Sequence, residues 1–169
     1  ADFEYEDLYQ SNKGAIAKWN QYLKNGGTIV TDVTMVQAGI TKEFIKKYNT
    51  QVVCYLNDEA VPSLAEKENI TRSQAGIRIA IEKHPTALFV VGNAPTALFE
   101  LCDQLIENKF NPQGIIGAPV GFVNVVESKL KLQAMTDTPY IIIKGRKGGS
   151  NVAASIVNAA FTADSNHTN

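Results

Sequence analysis

The sequence is poor in the residues that most protein-borne chemistry needs: two histidines, two cysteines, two methionines and one tryptophan in 169 residues. Cys54 and Cys102 lie far apart in apolar contexts, so they read as buried, reduced thiols and not as a bridge. No Cys/His spacing suits zinc, and no metal site is expected. His84 stands before Pro85 at the expected end of a helix, where a histidine favours the dipole or faces solvent. His167 lies in a polar tail and receives no role. No Ser/His/Asp set or Cys/His pair is suggested. Charge of one sign is lacking too: 16 basic against 17 acidic residues leave a net charge of -1. A nucleic-acid partner is not implied, because that needs a net basic surface. No apolar run approaches the roughly 20 residues of a membrane span. No Gly-x-Gly-x-x-Gly follows a predicted strand, and no Gly-x-x-x-x-Gly-Lys-Ser/Thr occurs. A flavin or nucleotide module is therefore supported by architecture alone.

What is present is an ordinary globular composition, 44% apolar and 20% charged, long enough to bury a core. Five apolar, β-branched runs predict strands: Thr28–Thr31, Gln51–Tyr55, Ala87–Val91, Gly114–Ala118 and Tyr140–Lys144. Near-continuous apolarity marks strands buried on both faces. Helical patterns alternate with them. Ser11 is placed to cap a helix through Ile16, Trp19 and Leu23 that stops at Gly26-Gly27. Thr41, Asp58 and Thr71 open further helices, and Pro95 suits a helical first turn. Stretches 123–135 and 150–161 complete the set. The alternation predicts a three-layer α/β/α, flavodoxin-like doubly wound fold with a mainly parallel, five-stranded sheet. Residues 1–163 form one domain on this reading, and 164–169 a flexible tail. The opening Ala1-Asp2-Phe3-Glu4-Tyr5 has neither Met nor signal features and reads as a trimmed start.

In open parallel sheets ligands bind beyond the carboxyl ends of the strands. The segments found there are Asp32–Met35, Asn57-Asp58, Gly92–Thr96, Pro119–Asn124 and Gly145–Ser150. Three of them carry glycine and feed a helix N-terminus, where free N–H groups and the helix dipole favour carboxylates or phosphates. They predict a site for a small anionic ligand. Arg146 and Lys147 suit ligand carboxylates or, equally, solvent. Arg72, beside the Thr71 cap, points from a helix start into the site or makes a surface ion pair.

Taken together, Ile70-Thr71-Arg72-Ser73, Gly92-Asn93-Ala94-Pro95-Thr96-Ala97-Leu98-Phe99, Gly117-Ala118-Pro119-Val120-Gly121-Phe122-Val123, Glu127-Ser128-Lys129 and Gly145-Arg146-Lys147-Gly148-Gly149-Ser150 resemble the signature blocks of the precorrin-8X (or cobalt-precorrin-8) methylmutases. The resemblance runs from Ala1 to about Phe161 and takes in 30–36 and 52–55. It implies a cytoplasmic isomerase of cobalamin biosynthesis, a homodimer with its site near the subunit interface. The reaction implied moves a methyl group from C-11 to C-12 of a corrin precursor, a formal 1,5-sigmatropic shift giving hydrogenobyrinate or its cobalt counterpart. Such a shift needs no nucleophile, metal ligand or redox cofactor from the protein; it needs a shaped pocket, partners for many carboxylates and a placed proton donor. The resemblance assigns substrate binding to Arg72, Asn93, Thr96, Gly121, Phe122, Arg146, Gly149 and Ser150. It places the family's proton-handling histidine just upstream of Ala1, so no catalytic residue is expected within 1–169, and little mutase activity. A corrin-binding protein without turnover is the other reading of the same loops.

Overall fold

The computed structural model describes residues 4–163; Ala1, Asp2, Phe3, the expected tail and His167 lie outside them. Strands β1 (Tyr9–Ser11), β2 (Thr28–Thr31), β3 (Gln51–Cys54), β4 (Leu88–Val91), β5 (Gly114–Gly117) and β6 (Tyr140–Ile143) form a sheet in the order β1-β6-β5-β4-β2-β3. The helices are α1 (Glu4–Leu8), α2 (Ala15–Lys24), α3 (Thr34–Gly39), α4 (Lys42–Tyr48), α5 (Val61–Glu68), α6 (Arg72–Lys83), α7 (Pro95–Ile106), α8 (Val125–Gln133) and α9 (Ser150–Thr162).

Helices cover both faces of the sheet because successive strand residues point to opposite sides. Leu88 and Val90 of β4 join Ile116 and Ile141 in a core under Trp19, Leu23, Val36, Val157 and Phe161 of α2, α3 and α9. Phe89 and Val91 join Ile115 and Ile142 in a second core under Ile77, Leu98, Leu101 and Leu132 of α6, α7 and α8. Every residue of β4, β5 and β6 is buried, which explains their unbroken apolar character in the sequence. Cys54 and Cys102 are both free thiols. Burial pushes the Cys102 pKa up to about 12, which leaves that thiol unreactive.

Two expectations are corrected. The sheet has six strands, not five, and the sixth is antiparallel: β1 pairs along β6 with Tyr9 opposite Ile143 and Ser11 opposite Ile141. The segment was invisible because it is three residues long and only one side of it meets the sheet. Asn12 locks it in place, its Oδ1 accepting the Tyr140 N–H at 2.6 Å and its Nδ2 donating to Thr138 O at 3.0 Å. For the same reason Ser11 caps no helix. Helix α2 starts at Ala15, after Gly14 in the left-handed region (φ 63°). Two smaller differences concern helix starts. Thr34 and Met35, expected in a loop, begin α3, and α5 begins at Val61, with Asp58 Oδ1 accepting the Ala60 N–H at 2.9 Å. Thr71 does cap α6, in a reciprocal capping box with Gln74.

The five parallel strands run β3-β2-β4-β5-β6. The chain leaves β2 for β3 on one side and returns to β4 on the other. The carboxyl ends of β2 and β4 therefore flank the crevice where doubly wound folds usually hold their ligands.

Candidate functional site

That crevice is filled from within. Asp32, the first residue after β2, is 4% exposed. Its Oδ1 accepts the Gly92 N–H at 2.8 Å, and its Oδ2 accepts the N–H groups of Asn93 and Ala94 at 3.0 and 2.8 Å. These are donors at the start of α7, the place where a ligand phosphate would bind in a nucleotide module. Burial pushes the Asp32 pKa up, while the three backbone N–H groups pull it down. In the sequence Asp32 stands only as the first residue of a strand-end segment. Its signal was an acidic side chain directly after a buried strand, with a Gly-Asn turn due to face it.

With the crevice occupied, the rim beside it remains for a ligand, and there the glycine loops meet. Gly92 sits so close to α9 that a Cβ would lie 2.9 Å from Ser150 Cα, which joins the β4 loop to the β6 loop. The β5 and β6 loops are joined by Gly149 N donating to Ala118 O at 2.8 Å and Gly121 N donating to Arg146 O at 3.4 Å. Gly148 has φ 156°, and a Cβ there would lie 2.4 Å from Ala118 O; only glycine permits that approach. Thr71 and Thr96 touch through their hydroxyl oxygens at 3.4 Å, which ties the starts of α6 and α7 together.

Arg72 is the exposed first residue of α6 and has no ion pair among the described residues. Asn93 is exposed beside the Asp32 cradle, and its own N–H is taken by that carboxylate. Thr96 is half-buried in the first turn of α7. Gly121 (φ 134°) and Phe122 lie on the β5 loop; Phe122 is 82% exposed. The Arg146 guanidinium carbon stands over the Phe122 ring, 5.7 Å from its centroid. Gly149 caps α9, and Ser150 begins it. The rim thus presents two exposed guanidinium groups, an exposed flat ring and helix-start polar groups, an arrangement suited to a large planar polyanion.

His84 is at the other end of the molecule, capping the carboxyl end of α6 below the start of β4. It pairs with the Tyr55 hydroxyl, with 2.7 Å between Tyr55 Oη and His84 Nε2, and burial together with the Lys83 charge lowers its pKa. Among the described residues no group of three or more His, Cys, Asp or Glu side chains is placed to hold a metal ion, and no helix is long and apolar enough to cross a membrane. A cavity of about 770 Å³ lies in an apolar groove lined by residues of α1, β1, α2, β6 and α9, Tyr9 and Ile156 among them.

The family model for precorrin-8X methylmutase matches residues 1–163. The chain belongs to this family. It is 42% identical to the cobalt-precorrin-8 methylmutase of Salmonella typhimurium over 162 residues, covering 94% of this chain and 74% of that protein. Against the precorrin-8X methylmutase of Pseudomonas aeruginosa it is 41% identical over 157 residues, 92% of this chain and 75% of the relative. A solved precorrin-8X methylmutase related protein superposes with a TM-score of 0.84 at 41% identity, covering 94% of this chain and 82% of that one. The Thermus thermophilus precorrin-8X methylmutase gives 0.84 at 33% identity, with 95% and 78% covered. The family is one of isomerases of cobalamin biosynthesis.

Proposed function

We propose that this chain carries out the methylmutase reaction on precorrin-8X or cobalt-precorrin-8. The methyl group leaves C-11 and bonds to C-12 within one molecule, so substrate and product are isomers and no external group is consumed. The observation that carries the reading is the rim: Arg72 and Arg146 unburied, Phe122 flat and exposed, and the β5 and β6 loops stitched together by backbone hydrogen bonds. The guanidinium groups suit the carboxylates of the macrocycle, and Phe122 suits its face. Fixing the ring in the reactive geometry supplies the entropic part of catalysis. Asn93, Thr96, Gly149 and Ser150 would take further carboxylates at the starts of α7 and α9. A nucleotide module is disfavoured because Asp32 already occupies the α7 donors. A cytoplasmic setting agrees with two free thiols. A homodimer and a flavodoxin-like description of the five parallel strands complete the proposal.

His84, at the far end of α6, takes no part in the proposed step. The test is an absorbance titration of the purified chain with hydrogenobyrinate, followed by turnover of precorrin-8X. Saturable binding is expected, and Arg72→Ala and Arg146→Ala should each weaken it about tenfold at unchanged melting temperature. No saturable binding refutes the corrin reading. Binding without turnover favours a corrin-binding protein over the mutase.

A further inference from the structure

Lys129 is 2% exposed, a burial rare for a lysine. It lies in the middle of α8, and its ammonium leaves that helix to meet the β6 loop. Nζ donates to Gly145 O at 2.8 Å and to Lys147 O at 2.6 Å. Those two carbonyls flank Arg146. They can converge on one cation because the loop runs through positive φ at Gly145, Gly148 and Gly149 (75°, 156° and 117°), conformations that turn peptide oxygens away from the directions of an ordinary strand or helix. With both neighbouring carbonyls turned inward, Arg146 stands outward over Phe122.

We propose that Lys129 is a positioning residue for substrate binding: its ammonium holds the backbone on both sides of Arg146 and so sets where that guanidinium meets a substrate carboxylate. The inference rests on the corrin reading of the rim. Lys129 touches no substrate on this account; it acts through Arg146. Two charge-assisted hydrogen bonds from one buried donor are strong tethers for the loop. Its other anchors include the bonds of Gly149 N and Gly121 N across to the β5 loop and the hold of α1 on it, in which Lys147 pairs with Glu4 and Tyr5 Oη lies 3.5 Å from Gly148 O. A methionine at 129 would fill the same channel and leave both carbonyls without their partner.

The experiment is a cycle of wild type, Lys129→Met, Arg146→Ala and the double variant, each titrated with hydrogenobyrinate. Lys129→Met is expected to weaken binding about tenfold on the wild-type background and hardly at all once Arg146 is gone. Lys129→Arg, which keeps charge and donors, is expected to recover most of the affinity. Hydrogen exchange without ligand gives an independent readout: the Gly149 amide should exchange about tenfold faster in Lys129→Met while the amides of β4 and β5 keep their rates. If wild type fails to bind the corrin, the corrin reading falls, and the exchange result still decides whether Lys129 holds the loop. If wild type binds and the Lys129→Met and Arg146→Ala effects simply add, or exchange quickens equally everywhere, Lys129 is a stability element only and the positioning role is overturned. Should Lys129→Met fail to fold, Lys129→Leu, which also lacks a donor, replaces it in the same cycle and is read the same way.

Discussion

Replacing Asp32 tests the claim that the switch-point crevice is closed by an internal carboxylate. Asp32→Ala removes the acceptor of three backbone N–H groups. Asn93 is exposed, so its N–H regains water. Gly92 and Ala94 are buried, and an unsatisfied buried donor costs about 1–3 kcal/mol. The two together predict a loss of about 3 kcal/mol. Asp32→Asn keeps one acceptor oxygen but turns an amide N–H toward a backbone N–H, for an expected loss of about 2 kcal/mol. Urea unfolding followed by Trp19 fluorescence suits the measurement, because Trp19 is the one tryptophan and is fully buried. The pH dependence adds a test of sign. Burial holds the native Asp32 pKa above 3.8. Between that value and the native pKa the folded protein keeps a proton that the unfolded chain has released, so stability from this group falls as pH rises through the window. The cost of Asp32→Asn should therefore be larger near pH 4 than at pH 7. A cost that grows with pH would show that the three N–H groups outweigh burial. A loss under about 0.5 kcal/mol for both variants would sink the cradle as a structural element.

Two further outcomes follow from the β6 loop. Gly148→Ala meets a backbone oxygen 2.4 Å from its new Cβ, whereas Gly145→Ala meets nothing within 4 Å. The first should cost more than about 3 kcal/mol or prevent folding, and the second, at φ 75°, only about 1–2 kcal/mol by thermal melts. Burial lowers the Lys129 pKa from 10.5 to about 8. Over that interval the unfolded chain holds a proton that the native state has lost, so stability from this group rises with pH, by about 3 kcal/mol at most. Chemical denaturation at pH 7, 8.5 and 10 should show the gain in wild type and its absence in Lys129→Met.

Strands β4, β5 and β6 were legible because each is buried on both faces, and a run such as Leu88–Val91 has no polar residue to obscure it. Thr71 was legible as a helix start because its cap is local: the Gln74 N–H it accepts lies three positions on. β1 was not legible. Its strand character comes from the exposed edge of β6, more than 120 residues away in sequence, and Tyr9-Gln10-Ser11 carries no pattern of its own.

The site divided along the same line. The exposure of the glycine loops and of Arg72, Phe122 and Arg146 was legible because they lie at strand ends and helix starts. The burial of Asp32 and Lys129 was not. Each reads as an ordinary charge, yet each is buried against backbone groups, 60 residues on from Asp32 and 16 on from Lys129. Periodicity carries no information about a partner that is a peptide N–H or C=O. The two residues also invert the expectation drawn from the loops. Helix-start donors suggest an anion, but the protein supplies its own anion at α7, and it supplies its own cation to the carbonyls of the β6 loop. On the proposed reading, the ligand's charges near α7 are thereby left to exposed side chains instead of the backbone. Side-chain contacts adapt to the scattered carboxylates of a macrocycle, whereas a backbone cradle fits one anion of fixed shape. If that division is right, Arg72→Ala should weaken corrin binding with no change in stability, and Asp32→Asn should do most of its damage to stability.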